Sequence, residues 1–303
     1  MTAVTISRKY KKSHGFTLLR EYFPFFILIT PGILLAFVFI FVPVFYALAL
    51  SFFKLDTITT PMKFVGLQNY IKILSQEIFW NDFLNGLLYA GLSVFFQVVI
   101  GVLIALVLDR RFKFRSLFRA ASIVPYVIPT VVAAFTWRWM LDEHIGIVNE
   151  IFKILGWTPI TWFETRFSSM FSSVLVSVWI WTPFVTLSFL AGLQNMPNEL
   201  HEAARVDGAN ALQRFFLITL PFLKPILIII ILLRSIWMFN KFDIIWVLTQ
   251  GGPLYGTEHL PILSYKKAFI MFEVGEGAAI SAINFFVLMI IMYFYLKRFK
   301  IDE

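Results

Sequence analysis

Six long apolar runs, separated by shorter polar stretches, organise the chain; they lie near residues 25–53, 83–108, 120–140, 170–194, 225–249 and 277–296. A helix needs ~20 mostly apolar residues to cross a bilayer, so each run is long enough to span one. Within the runs the apolar positions go nearly all the way round a helical period, and no polar stripe sets one face apart. That is the pattern of helices surrounded by lipid and by one another. It predicts an all-α membrane protein with six transmembrane helices.

The polar stretch between the fourth and fifth runs carries a helical pattern of its own, over residues 197–221. Asn198 is placed to cap a first helix, and Glu199 and Glu202 follow it, where acids suit the positive end of the helix dipole. Asp207-Gly208 breaks that helix, since glycine accepts the positive φ of a tight stop. A second short helix is predicted from Asn210 to Leu220. Pro221, which has no N–H, marks the join to the next membrane helix. Ala203 and Ala204 are small enough to let a partner's backbone approach, with Glu202 and Arg205 offering charged contacts at the rim. The same pattern also suits an amphipathic hairpin resting on lipid headgroups.

Composition agrees with the membrane reading: 59% of the 303 residues are hydrophobic, 15% are charged, and the mean hydropathy is +0.80. A soluble domain is about half apolar and about a quarter charged. The chain has no cysteine, which excludes disulfides, thiol nucleophiles and thiolate metal sites. His14, His144, His201 and His259 are scattered among loops without ligand spacing, so no metal site is expected. No carboxylate pair, Ser/His pair or metal cluster falls at membrane depth, which speaks against an integral membrane enzyme. The first apolar run is far longer than the ~7–15 residues of a signal peptide core, and reads as an uncleaved anchor.

The net charge of +8 is unevenly placed. Sixteen of the 26 Lys and Arg lie in the N-terminal segment, the second and fourth loops and the C-terminus; nine lie in the opposite loops and Arg234 lies inside a run. Seven acids share the first side and eleven the other. Positive charge stays inside, so both termini and the 197–221 hairpin are expected in the cytoplasm, with residues 1–21 a cytoplasmic N-terminal segment. The basic balance is thus a topology signal, with no nucleic-acid partner implied. Trp80, Trp137, Trp139, Trp157 and Trp162 fall near predicted outer boundaries, as interfacial aromatics do. Glu273 and Glu276 read as solvated outer-face charges.

The fifth run contains Arg234, Trp237, Asn240 and Lys241. A charged side chain at mid-span costs at least ~2.5–3.5 kcal/mol, so such a residue usually faces protein or a water-filled cavity. Spacing puts Arg234, Trp237 and Lys241 on one helical face. Indole beside hydrogen-bond donors suits a sugar, whose apolar ring face stacks while its hydroxyls take the polar groups. The alternative is a snorkelling Lys241 with Arg234 paired to a neighbouring helix.

Glu202–Ala209, reading EAARVDGA, is followed twelve positions after Gly208 by Leu220-Pro221. This resembles the EAA signature of permease subunits of binding-protein-dependent ABC importers. Phe64–Tyr70 (FVGLQNY), then Arg115, Arg119, Pro125, Pro129 and Trp137, and Phe242-Asp243 with Leu248–Pro253 (LTQGGP) resemble the maltose-type, sugar-importing branch. The resemblance makes residues 22–303 one transmembrane domain in a bacterial inner membrane. It implies that Glu202, Ala203, Ala204, Asp207, Gly208, Ala209, Leu220 and Pro221 couple to an ATPase subunit. It further implies a second, related permease, two ATP-binding cassette subunits, a solute-binding protein and a carbohydrate substrate. ATP and Mg2+ would then sit in the ATPase subunits, with no cofactor on this chain, a non-catalytic one; in keeping with that, it has no GxxxxGK[ST] phosphate loop. In that branch the substrate site is lined by the fourth and fifth spans, which brings in Trp181 and Phe184 beside the Pro183 kink. Arg234 and Lys241 leave open an acidic glycan or a phosphorylated polyol. An ion-coupled secondary transporter would carry acids inside its spans, and these spans hold essentially none.

Overall fold

The computed structural model describes residue 22 and residues 25–55 and 61–298. The predicted N-terminal segment 1–21 lies outside the described residues. Helices dominate: α1 (Phe25–Leu50), α2 (Gln68–Leu74), α3 (Glu77–Asp109), α4 (Arg115–Val127), α5 (Thr130–Met140), α6 (Ile147–Ile154), α7 (Arg166–Gln194), α8 (Asn198–Val206), α9 (Ala211–Phe239), α10 (Asp243–Leu248), α11 (Leu260–Tyr265) and α12 (Val274–Arg298). A two-residue antiparallel pair, Phe53–Lys54 with Lys63–Phe64, accompanies them.

Five helices, α1, α3, α7, α9 and α12, are long and apolar enough to cross a membrane, and there are six if α4 and α5 count as one bent span. The third apolar run is therefore not a straight helix. α4 and α5 meet at 95°. Pro129 has no N–H to continue the ladder and drives Ile128 into an extended conformation (φ −71°, ψ 131°), which sets the corner there. The fifth run is also displaced from residues 225–249. α9 begins at Ala211 and ends at Phe239, and residues 240–242 form a break before α10.

α3, α7 and α9 form the centre. One apolar cluster joins Val102, Ala105 and Leu108 of α3 to Phe189, Leu190 and Leu193 of α7 and to Leu223 and Leu227 of α9. Gly101 makes the closest approach possible. A Cβ there would lie 2.7 Å from Val185 Cβ and 3.2 Å from the Thr186 backbone nitrogen, so any side chain would push α3 off α7. At the other end of α9, Met238 and Phe239 pack with Ile73, Phe79 and Ala90, with Leu260 and Leu263 of α11, and with Ala279 and Ile280 of α12. α1 leans on α12 through its Val42–Leu50 half, and its most apolar stretch buries nothing in this chain.

Two outer-boundary expectations change. Trp162 is 5% exposed, packs with Ile244 and Leu248, and donates to Asn149 Oδ1 at 3.1 Å, so it is a core residue. Glu276 is buried, where solvated charge was expected. It pairs with Lys72 and, at 3.0 Å, with Lys267, while Glu273 pairs with Lys267 at 2.6 Å. The carboxylates raise the Lys72 and Lys267 pKa values above the ordinary lysine range. Glu276 can be buried because Lys72 and Lys267 neutralise it, while Glu273 stays partly exposed at the edge of the cluster.

Candidate functional site

The hairpin between α7 and α9 is closed by backbone devices. α8 starts at Pro197, whose φ of −59° is preset for the turn; Asn198 is the first helical residue, so its side chain is not the cap expected. At the far end the Ala209 N–H donates to the Ala204 carbonyl (2.9 Å) and the Gly208 N–H to the Arg205 carbonyl (3.1 Å), with Gly208 at φ +79°. This pair of bonds is a Schellman stop, which needs a residue tolerant of positive φ. Asn210 then caps α9 reciprocally: the Gln213 N–H donates to Asn210 Oδ1 (2.9 Å) and the Asn210 N–H to Gln213 Oε1 (2.8 Å).

Pro221 does not end the second helix. A π turn over Phe215–Thr219 precedes it and absorbs the missing N–H, and α9 runs through Leu220-Pro221 without a break. Of the expected coupling residues, Glu202, Ala203, Asp207 and Gly208 are exposed on the hairpin. Ala204 is not; at 7% exposed it packs inward, so only one of the two alanines offers a surface. Val206 (87% exposed) and Leu212 (70%) stand out beside them as apolar side chains without cover, and neither was singled out from sequence.

The second candidate region lies where α9 ends. Arg234 is 0% exposed and sits in an aromatic cage, with its guanidinium carbon 4.8 Å from the Trp181 ring centre, 5.5 Å from Trp237 and 5.8 Å from Phe184. Tyr126 of α4 closes the cage, 5.6 Å from Trp181 and 6.4 Å from Phe184. Arg234 Nε donates to Gln97 Oε1 of α3 at 2.9 Å. Its two terminal nitrogens, and Trp181 Nε1, are buried without a hydrogen-bond partner. Cation–π contact compensates part of the buried charge, and no acid pairs with it among the described residues.

Lys241 reaches the same place by another route. It lies beyond the helix end rather than on the Arg234–Trp237 face, yet its Nζ is 4.5 Å from the Trp181 ring centre and 3.0 Å from Asp243 Oδ2. Trp181, Phe184, Arg234, Trp237 and Lys241 thus come together. Asn240 does not; it turns to α12, where Asn284 Nδ2 donates to its Oδ1 at 3.1 Å. Gln97 and Tyr126 are additions. A lone glutamine in the middle of the second apolar run is the signal that would have pointed to the first.

A polar cavity of about 340 Å³ lies under the hairpin, lined by Asp109, Arg110, His201, Glu202, Arg205 and Arg214 among others. No group of acidic or histidine side chains able to hold a metal occurs among the described residues.

Residues 97–300 match the family described as binding-protein-dependent transport system inner membrane component. The trehalose/maltose transport system permease protein MalF of Thermococcus litoralis is 38% identical over 279 residues, covering 91% of this chain and 94% of its own. The inner membrane ABC transporter permease protein YcjO of Escherichia coli K12 is 35% identical over 243 residues, covering 79% of this chain and 81% of its own. Among solved structures, a chain of a bacterial ABC transporter involved in import of the acidic polysaccharide alginate superposes with a TM-score of 0.84 at 20% identity, covering 96% of this chain and all of that one. The overall fold is shared with that structure. On the extent of these matches, the chain belongs to the family of inner membrane components of binding-protein-dependent transport systems.

Proposed function

We propose that this chain is a permease subunit of an ABC importer, forming half of the translocation pathway for a sugar or oligosaccharide. The observation that carries this reading is the cage of Tyr126, Trp181, Phe184 and Trp237, with the unused donors of Arg234 and Trp181 inside it. Aromatic faces with nearby donors match the two surfaces of a saccharide. A solute-binding protein delivers the substrate and a second, related permease completes the pathway. Two ATPase subunits hold ATP and Mg2+; one of them docks on this hairpin through Glu202, Ala203, Asp207 and Gly208, with this chain taking no catalytic part. Both termini and the hairpin lie on the cytoplasmic side, following the excess of Lys and Arg there.

A second reading concerns the substrate's charge. Lys241 has Asp243, whereas Arg234 has no acid among the described residues, and an isolated buried charge is costly. That favours a saccharide bearing a carboxylate, sulfonate or phosphate.

The test is ATPase activity of the complex in nanodiscs, co-expressed with its partner subunits, as the binding protein is added with a panel of neutral and acidic saccharides. Stimulation by one loaded form is expected and names the substrate class. Co-purification of the second permease without any ATPase, or uptake by this chain alone down an ion gradient, would overturn the reading.

A further inference from the structure

α9 stops at Phe239 and α10 starts at Asp243, so the Lys241 carbonyl lies outside both helical ladders. In an apolar setting such a carbonyl needs a donor from elsewhere. The donor comes from the loop that follows α10. His259, 0% exposed, places Nε2 2.8 Å from the Lys241 carbonyl oxygen, with its ring 6.1 Å from that of Tyr89. A carbonyl can only accept, so Nε2 carries the proton. Nδ1 is buried with no partner and holds the lone pair.

The loop bearing His259 is itself fixed. Asn85 of α3 donates to the carbonyls of Tyr255 (2.8 Å) and Glu258 (2.9 Å), Thr249 and Thr257 share a hydroxyl–hydroxyl bond of 2.6 Å, and Glu258 pairs with Lys266. The bond to Lys241 therefore links a braced loop to a backbone break that no helix holds. That break carries the ammonium on Trp181.

We propose that His259 is a positioning residue for the saccharide site: through the Lys241 carbonyl it sets where the Lys241 ammonium rests on Trp181. This rests on the reading of Trp181, Arg234 and Lys241 as that site. Burial keeps the imidazole neutral, with its pKa lowered to about 4, so the bond persists across the physiological range. The charged groups around it, Glu258 with Lys266 and Lys241 with Asp243, are already paired with one another.

Two readouts on the assembled complex test the proposal. The first needs no substrate. In isotope-labelled complex, the Lys241 side-chain resonances, assigned by their loss in Lys241→Met, should carry the ring-current shift of Trp181. That shift should vanish in Trp181→Ala and in His259→Phe, which fills the space without a donor, and be kept in His259→Gln, whose amide can still donate. The second is ATP-driven uptake of labelled trehalose and labelled glucuronate. His259→Phe should lower uptake of whichever is transported by up to about tenfold, the effect of one lost hydrogen bond. His259→Gln should restore most of it, and His259→Phe should add little to Lys241→Met.

A Lys241 shift unchanged in His259→Phe, a His259 carrying its proton on Nδ1, or additive losses with Lys241→Met would overturn the proposal. If the shifts behave as expected while Lys241→Met and Trp181→Ala transport normally, the positioning geometry stands and the substrate-site reading fails, taking the functional half of the proposal with it.

Discussion

Residues 197–214 close the hairpin with bonds between near neighbours: Ala209 to Ala204, Gly208 to Arg205, and Asn210 with Gln213. The cage around Arg234 is assembled from Gln97 of α3, Tyr126 of α4, Trp181 and Phe184 of α7, Trp237 of α9 and Lys241 in the break beyond it. The first region holds its shape as long as its own few residues do. The second exists only when four helices are correctly packed, so a change far from it can dismantle it. Rigidity in the hairpin is a property of the chain, and in the cage it is a property of the fold.

The largest expected effect is on the packing beneath the cage. Gly101→Leu puts a side chain where Val185 already stands, a cost of ~3 kcal/mol or more, and monodisperse complex should be lost in size-exclusion chromatography while the peptide is still synthesised. Next is Arg234→Met. Uptake should fall on the order of 100-fold, and the melting temperature should hold or rise, because an unpaired buried charge is removed. A fall in both would make Arg234 a structural residue and erase its distinction from the packing around it.

An intermediate effect follows from His259. Its pKa is about 4 in the folded chain against ~6.5 when unfolded. Between those values the unfolded chain takes up a proton that the folded chain does not, so stability should fall as pH drops from ~6.5 towards ~4, and be insensitive to this residue above that window. His259→Gln should flatten the melting-temperature profile in that interval relative to the parent. The smallest effect belongs to the hairpin. Gly208→Ala meets no atom within 4 Å and acts only through its φ of +79°, costing ~1 kcal/mol. Coupling of ATP hydrolysis to uptake should loosen slightly, with assembly intact. A collapse of assembly would mean that the hairpin, too, depends on tertiary support.

The hairpin was legible in the sequence because its devices span a few residues each, and Asp207-Gly208 and Asn210 announce themselves. Its continuation was misjudged at Pro221, since a π turn leaves no compositional mark. Four of the spans were legible from apolar length alone, and the bend at Pro129 and the stop at Phe239 were not. Both depend on what the flanking helices leave room for. In the cage, Arg234, Trp237, Trp181 and Phe184 could be nominated from chemistry and resemblance. Lys241 was placed on the right site for the wrong reason, by helical spacing that stops two residues short of it. Gln97 left a trace, as a lone glutamine in an apolar run, while Tyr126 and His259 left none, because only the packing of α4 and the loop after α10 against the end of α9 gives them a role.

The π turn at Phe215–Thr219 also sets the angular phase of everything beyond it. α9 is one 29-residue rod, ~43 Å long, with the hairpin at one end and Trp237 near the other. Each residue advances the helix by ~100°, so deleting one between Phe215 and Thr219 would turn Arg234 and Trp237 to a different side of the molecule while leaving every residue of both regions in place. The continuous helix joins the two regions directly, so a tilt of the hairpin reaches the far end only through the π turn, Pro221 and Pro225, the points at which a helix bends most readily.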